Sequence, residues 1–289
     1  VTAHPDRVVT VDWSAAAAPR EGADSIWVCV RTDDSTRLVN PTTRREAEAL
    51  LADICALPGR TLIAADVALS YPAGSAAAAG LTRERGAAAW QAICAYLEGN
   101  LHDDHRNRNN RWSVAADLNQ RIGAHQFWGA PSAQCGPWLP QRRPAEPPLP
   151  WFRRSEEELR VLGLRPASPW QLLGVGSVGS QALTFIPVLE RLRRSMPSRV
   201  RVWPIETGLA ADPWRGARHR TIITETWTTL APAADVAGVD HPVRDARQVT
   251  ALARHLAGLL RDGVPLFRPP SALRHSGVLD EEGWVLGVL

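Results

Sequence analysis

The chain has 289 residues, 45% of them apolar, and a formal net charge of +3. Its 33 basic residues are all arginine, against 30 acids, and it contains no lysine. This excludes a lysine Schiff base, covalently held pyridoxal phosphate, and the Walker and kinase lysines that hold nucleotide phosphates. Any phosphate must be held by arginine, backbone N–H groups or a metal ion.

The length suits two domains or one elaborated α/β domain. No stretch approaches about 18 apolar residues, so no membrane span is expected. The opening residues carry no signal-peptide core. Cys29, Cys55, Cys94 and Cys135 lie far apart with no CxxC, which predicts a reduced, cytoplasmic chain. The small net charge does not by itself argue for nucleic-acid binding.

In chain order, Val8 to Asp12 is a β-branched run that ends on an acid. Ser25 to Arg31 and Thr36 to Val39 read as two further strands on short, hairpin-like links. Thr42 and Thr43 open a helix with Glu46 in its first turn, and Pro58-Gly59 stops it. Thr61 to Ala65 is a continuous apolar strand, hence buried, followed by Asp66. The order so far is β-β-β-α-β.

Ala87 to Leu97 and Val114 to Ile122 look helical. The seven prolines between Ala130 and Pro150 predict an irregular surface excursion and a candidate lid. Ser155 reads as the cap of a helix reaching Leu162, with Glu158 completing a capping box. Ser180 to Arg194 is a further helix. Val200 to Ile205, interrupted by Pro204, and Arg220 to Thr228, containing Glu225, read as late strands. Pro242 to Leu260 is an amphipathic helix with Asp245 in its first turn, ended by Gly263.

Acids at strand ends are the best chemical clue. Ligands of open α/β sheets gather at the carboxyl ends of strands. Adjacent first and fourth strands would bring Asp12 and Asp66 together. Clustered carboxylates repel unless a hard cation such as Mg²⁺ or Mn²⁺ lies between them. Two such ions can activate a water and steady a leaving oxygen. The competing account is that these acids cap helices or meet arginines.

Gly174, Gly176 and Gly179 match GxGxxG. The strand before them is short, and the next acid, Glu190, comes too early for a dinucleotide site. Gly176 and Ser177 then belong to a loop that either holds a phosphate at a helix N-terminus or packs helix on sheet. The polar run 102–112 offers Arg106, Arg108 and Arg111 as phosphate clamps and Trp112 as a stacking face. A solvated loop with one aromatic anchor is the alternative. Arg153 and Arg154 extend the same theme, as does Phe127-Trp128. Ser14, close to Asp12, is either a substrate contact or a turn residue. No G-x-S-x-G is present, and Cys29 and Cys55 read as core.

The segments VVTVDWSAAAAP, TLIAADVALSYPAG, WQLLGVGSVGSQAL, VWPIETG and RDARQVTALARHL together resemble a bacterial family of uncharacterised proteins described as predicted ribonuclease-H-like nucleases. Some of its members carry molybdopterin or cobalamin biosynthesis names. The resemblance spans about residues 7 to 289. It implies one ribonuclease-H-like α/β domain with a mixed sheet, helices on both faces and an insertion over about residues 98–170. It also implies a Mg²⁺- or Mn²⁺-dependent hydrolase of phosphodiester or nucleotide bonds. Asp12, Asp66 and Asp245 match the family's acids and would hold metal, with Glu225 as a fourth catalytic carboxylate. Relatives place an aromatic-Pro-Ser run after that Glu, whereas here Thr226 is inserted before Trp227 and no proline follows. Nucleic acid or a nucleotide is the implied partner. Two alternatives remain: an ATP-binding protein of the actin/sugar-kinase type, and a non-catalytic accessory protein on a decayed nuclease fold.

Overall fold

The computed structural model describes residues 4–161, 163–174, 177–268 and 277–288. Six strands form one mixed sheet: β1 (Arg7–Asp12), β2 (Trp27–Arg31), β3 (Thr36–Val39), β4 (Arg60–Asp66), β5 (Val200–Val202) and β6 (Arg220–Glu225). Their order is β3-β2-β1-β4-β6-β5. β1 to β3 run antiparallel as a meander, while β4 lies parallel to β1, and β6 lies parallel to both β4 and β5. Two expected strands are shorter than their apolar runs. β5 ends before a cis Trp203-Pro204 peptide, and proline cannot donate to a ladder. β6 stops at Glu225.

The central strands are buried on both sides, so side-chain parity sorts their residues between two cores. Val9, Val11, Ile63, Ala65 and Ile223 face one core, which also contains residues of α1 (Arg44–Ala56), α3 (Ala89–Asn100) and α6 (Gly179–Ser195). Val8, Leu62, Ala64 and Ile222 face the other, built on α8 (Arg244–Arg261). Thr10 belongs to the α8 side, where its hydroxyl donates to the Val249 carbonyl at 2.7 Å. The outcome is an α/β protein with helices on both faces of the sheet. Three short helices complete the set of α elements with α4 (Arg111–Ile122): α2 (Ser75–Ala78), α5 (Arg154–Val161) and α7 (Ala233–Ala237).

Local signals account for most ends. The Thr43 hydroxyl accepts from the Glu46 amide at 3.2 Å, while the Glu46 carboxylate accepts from the Thr42 amide. α8 ends before Gly263 at φ +75°. The cap expected at Ser155 is displaced. Ser155 lies inside α5, and the Glu156 carboxylate accepts from the Arg153 amide instead. An acid one turn into the helix reaches back more readily than a buried serine can turn outward. The other end of that expected helix, Leu162, lies outside the described residues.

The proline-rich excursion is irregular but pinned, which does not suit a lid. Asn119 donates to the Trp138 carbonyl at 2.7 Å, and Gln126 accepts from the Leu149 amide. The Arg143 guanidinium stacks 4.5 Å over Trp151. Phe127 is buried and packs edge-on against Trp170, so it anchors this region.

Gly179 is where α6 meets the preceding segment. A Cβ there would lie 2.6 Å from the Gln171 carbonyl oxygen and 2.7 Å from that of Pro169. Both are backbone atoms and cannot yield cheaply. Gly179→Ala should cost about 1–3 kcal/mol of stability, read from urea unfolding. An unchanged midpoint would show that α6 can shift freely.

Candidate functional site

Asp12 and Asp66 are register partners at the carboxyl ends of adjacent parallel strands. By parity both belong to the α8 side of the sheet, and Asp245 sits in the first turn of α8. The first and fourth strands are therefore neighbours, and the three aspartates share one end of the fold.

Their electrostatics reflect this. Asp12 titrates well above the ordinary carboxylate range, first because it is buried, then because Asp66, Asp245 and Asp24 lie near. Asp66 is also raised by burial, against two bonds from Thr228 that favour its charged form. The Thr228 amide and hydroxyl both donate to Asp66 Oδ2, at 3.0 and 2.6 Å. Asp245 Oδ2 accepts from the Asp24 amide at 2.8 Å. Asp24 has φ +53°, and its carbonyl accepts from the Ser14 hydroxyl at 3.0 Å. The turn before β2 thus ties the segment after Asp12 to the start of α8.

This arrangement yields a stability prediction. An acid whose folded pKa is raised stabilises most below its unfolded pKa, about 3.9, and loses that contribution as pH climbs through the folded pKa. In chelator at pH 7.5, Asp12→Asn should therefore be more stable than the parent, by on the order of 2 °C in Tm. The gap should close towards pH 4. A lower Tm for the variant at pH 7.5 would contradict the repulsion.

The donors suit Mg²⁺ or Mn²⁺ in kind, being carboxylate oxygens. Asp66 and Asp245 each engage one oxygen, Oδ2, in the bonds above. Among the described residues, no three His, Cys, Asp or Glu side chains form a closed group able to hold a metal. The match is therefore one of donor chemistry and placement, with the carboxylates not drawn together.

Glu225 lies near enough to raise Asp66 but is engaged by other partners. It pairs with Ala65, one register position before Asp66, so parity sends it to the face opposite Asp12 and Asp66. Arg153 Nη2 and Nη1 donate to its two oxygens at 2.6 and 2.7 Å, and the Leu69 amide adds a bond at 3.1 Å. The same guanidinium bonds Glu156, and all three residues are buried. Arg153, expected as a phosphate ligand, is instead a structural cation, because two buried acids already saturate it. Arg154 is exposed, and its amide donates to Glu282.

The polar run 102–110 lies beside the segment that follows Asp12. Buried Arg44 links them. It donates to the Ser14 and Ala16 carbonyls at 3.2 and 2.8 Å, to the Asn107 carbonyl at 2.6 Å, and to Asp103. Arg106 is exposed, and Arg108 pairs with Asp104 at 2.9 Å. Arg111 is buried and stacks 4.5 Å over Trp112. Its pKa is pushed down to about 10, by burial first and then by Arg44. Ser14 behaves as a turn residue, its hydroxyl also accepting from the Ala16 amide. Ser177 is half-buried, and its amide donates to the Gly174 carbonyl. Gly176 lies outside the described residues.

Two cavities border these residues. The larger, about 680 Å³, lies between α1, α6 and the 102–104 loop and touches none of Asp12, Asp66, Asp245 or Glu225. Two of its three arginines are matched by acids, Arg44 by Asp103 and Arg191 by Glu48, and the third, Arg45, is exposed. The smaller, about 330 Å³, borders Asp66 and Glu225 and so lies at the carboxylates. Three contributors had no sequence signal: Thr228, Asp24 and Arg44. Each acts through a partner far away in the chain.

Fold and site together define an α/β protein with a mixed six-stranded sheet and an aspartate group at the carboxyl end of its central parallel strands. Comparison with protein-family models, curated proteins and solved structures finds no match to this chain. Among the described residues, no helix is long and apolar enough to cross a membrane.

Proposed function

We propose that the chain is a divalent-metal-dependent hydrolase of phosphodiester or nucleotide bonds, on a ribonuclease-H-like fold. The observation that carries this reading is the pairing of Asp12 with Asp66 beside Asp245, at a site where burial first and the neighbouring carboxylates second raise Asp12. A cation is the simplest means of relieving their mutual repulsion. The antiparallel β1 to β3 meander followed by parallel strands supports the fold reading.

Mg²⁺ or Mn²⁺ held by Asp12, Asp66 and Asp245 would supply an activated water and Lewis acidity at phosphorus. The chain's own residues position that group. Thr228 fixes Asp66, and the Asp24 turn fixes Asp245 relative to the segment carrying Ser14. Arg106 provides exposed positive charge on the loop that Arg44 ties to that segment, where Arg108 is paired with Asp104.

The test is direct. Purified protein should cleave single-stranded or duplex nucleic acid, or a nucleotide, in Mn²⁺ or Mg²⁺ and not in chelator. ATP binding with no phosphodiester cleavage would favour the actin/sugar-kinase alternative instead.

A further inference from the structure

At the opposite end of the sheet, where β4 and β6 begin, lies a cavity of about 590 Å³. Arg60, Arg218 and His219 line it, together with His4 and a single acid, Asp6. Arg60 opens β4 and Asp66 closes it, so the cavity is about 20 Å from the aspartates at roughly 3.3 Å per residue. Nothing in the hydrolase reading uses it.

The arginines at this end divide by what they bond. Arg7 and Arg199 donate to the Pro58 and Leu57 carbonyls. α1 ends there with no basic residue in its last turn, so these two guanidiniums answer its negative end. Arg220 donates to the Pro213 carbonyl at 3.3 Å. Arg60 and Arg218 remain. Arg60 donates from Nε alone, to the Ala217 carbonyl at 3.3 Å. Its terminal nitrogens carry most of its N–H groups and bond nothing among the described residues. Arg218 is exposed. Among the described residues neither one pairs with a carboxylate, whereas Arg44, Arg153, Arg191 and Arg193 all do. The donors are also held in place. His219 Nδ1 accepts from the Gly59 amide at 2.8 Å, which puts the ring proton on Nε2 as a donor. The loop carrying Arg218 and His219 hangs on buried Trp214. The Trp214 indole donates to the Thr61 carbonyl at 3.3 Å, and its own carbonyl accepts from the Ala217 amide at 2.8 Å. Asp6 is tied back by the Arg60 amide, which donates to its Oδ2 at 2.6 Å.

We infer that this cavity is an oxyanion site that binds a phosphate group, free or as a small phosphoester. The Arg60 and Arg218 guanidiniums take its oxygens, and His219 Nε2–H donates a further bond. Phosphate fits this set because its several oxygens accept from donors that arrive from different directions, and two guanidiniums offset its charge of about −2. The volume falls within the roughly 300–1,000 Å³ of ligand pockets, which leaves room for an organic remainder. A chain without lysine has arginine for this task, and the guanidinium fork matches the oxygens in pairs. The site is separate from the aspartates and does not depend on the hydrolase reading.

The experiment is calorimetric titration of the whole protein with inorganic phosphate and with ribose 5-phosphate, in chelator so that no metal ion draws phosphate to the aspartates. Saturable binding of either is expected. Tighter binding of ribose 5-phosphate assigns an ester, equal binding assigns the free ion, and both uphold the site. Arg218→Glu should abolish binding, and Arg60→Gln should weaken it about tenfold or more by removing charge-assisted bonds. Arg218 is exposed and unpaired among the described residues, so Arg218→Glu should unfold at the parent's temperature. Should it not, Arg60→Gln and His219→Ala carry the test. Asp66→Asn should bind as the parent does. No saturable binding, equal binding of acetate, or binding untouched by Arg218→Glu and Arg60→Gln would overturn the proposal. So would loss of binding in Asp66→Asn, which would move the anion to the other end of the sheet. Binding of an oligonucleotide with no saturation by either small probe would overturn it too, and would make this end a strand contact.

Discussion

Arg153→Ala is expected to destabilise the protein by about 3–5 kcal/mol, because it strands buried acids without their cation. Arg153, Glu156 and Glu225 are each at most 2% exposed. The guanidinium spans α5 and β6, and it also donates to the Glu282 carbonyl at 3.3 Å. Removing it leaves Glu156 and Glu225 facing each other in a poorly solvated site. Burial already raises Glu156 more than Arg153 lowers it. The variant should therefore recover part of its stability in acid, where both acids take up protons. Glu156→Gln is the control. It removes the excess negative charge of the triad but keeps only one acceptor oxygen for Arg153, so it should cost clearly less than Arg153→Ala. Urea unfolding at pH 7 and pH 5 checks both. A loss below about 1 kcal/mol for Arg153→Ala would mean that water reaches these acids.

Asp66→Asn is expected to lower metal-dependent cleavage by roughly 10²–10³-fold or more while the fold persists. Asn keeps the shape and can still accept from Thr228, so the Thr228 bonds survive in part. What disappears is the charge that a divalent ion requires. Under the proposed hydrolase reading the loss should fall on kcat, since the carboxylate would act at the reacting phosphate and not on remote parts of the substrate. Thr228→Val separates positioning from charge. It removes the 2.6 Å hydroxyl bond and leaves the amide bond, so a loss of roughly 10–100-fold is expected. Raised Mn²⁺ should partly rescue Thr228→Val but not Asp66→Asn. Full activity in Asp66→Asn, with circular dichroism unchanged, would remove Asp66 from the reaction.

The legible part of the site was its two strand-end aspartates. A β-branched run that ends on an acid shows where a strand stops and which residue stands at its mouth. Asp245 was legible for a similar reason, as an acid in the first turn of a strongly amphipathic helix. Glu225 looked equivalent in sequence but differs by one register position from Asp66. A period of two turns that single step into the opposite face of the sheet. No reading of β6 alone can show the step, because it depends on how β6 pairs with β4. The arginines were harder still. Arg153, Arg111 and Arg108 are chemically alike in sequence, yet one is buried between acids, one is buried over an indole, and one is paired at the surface.

The amino-acid sequence by itself determined the alternation of apolar runs, and with it the β-β-β-α-β start, the amphipathic α8 and the acids at the ends of β1 and β4. Lacking lysine, it also left phosphate and acids to be met by arginine. These are local properties, set by side-chain shape and by periods of 2 and 3.6. Tertiary structure decided which strands lie side by side, which acids share a face, and which arginines are already spent. Thr228 reaches Asp66 across 162 positions and Asp24 reaches Asp245 across 221. Contacts of that span depend on the packing of the whole sheet, and no local pattern encodes them.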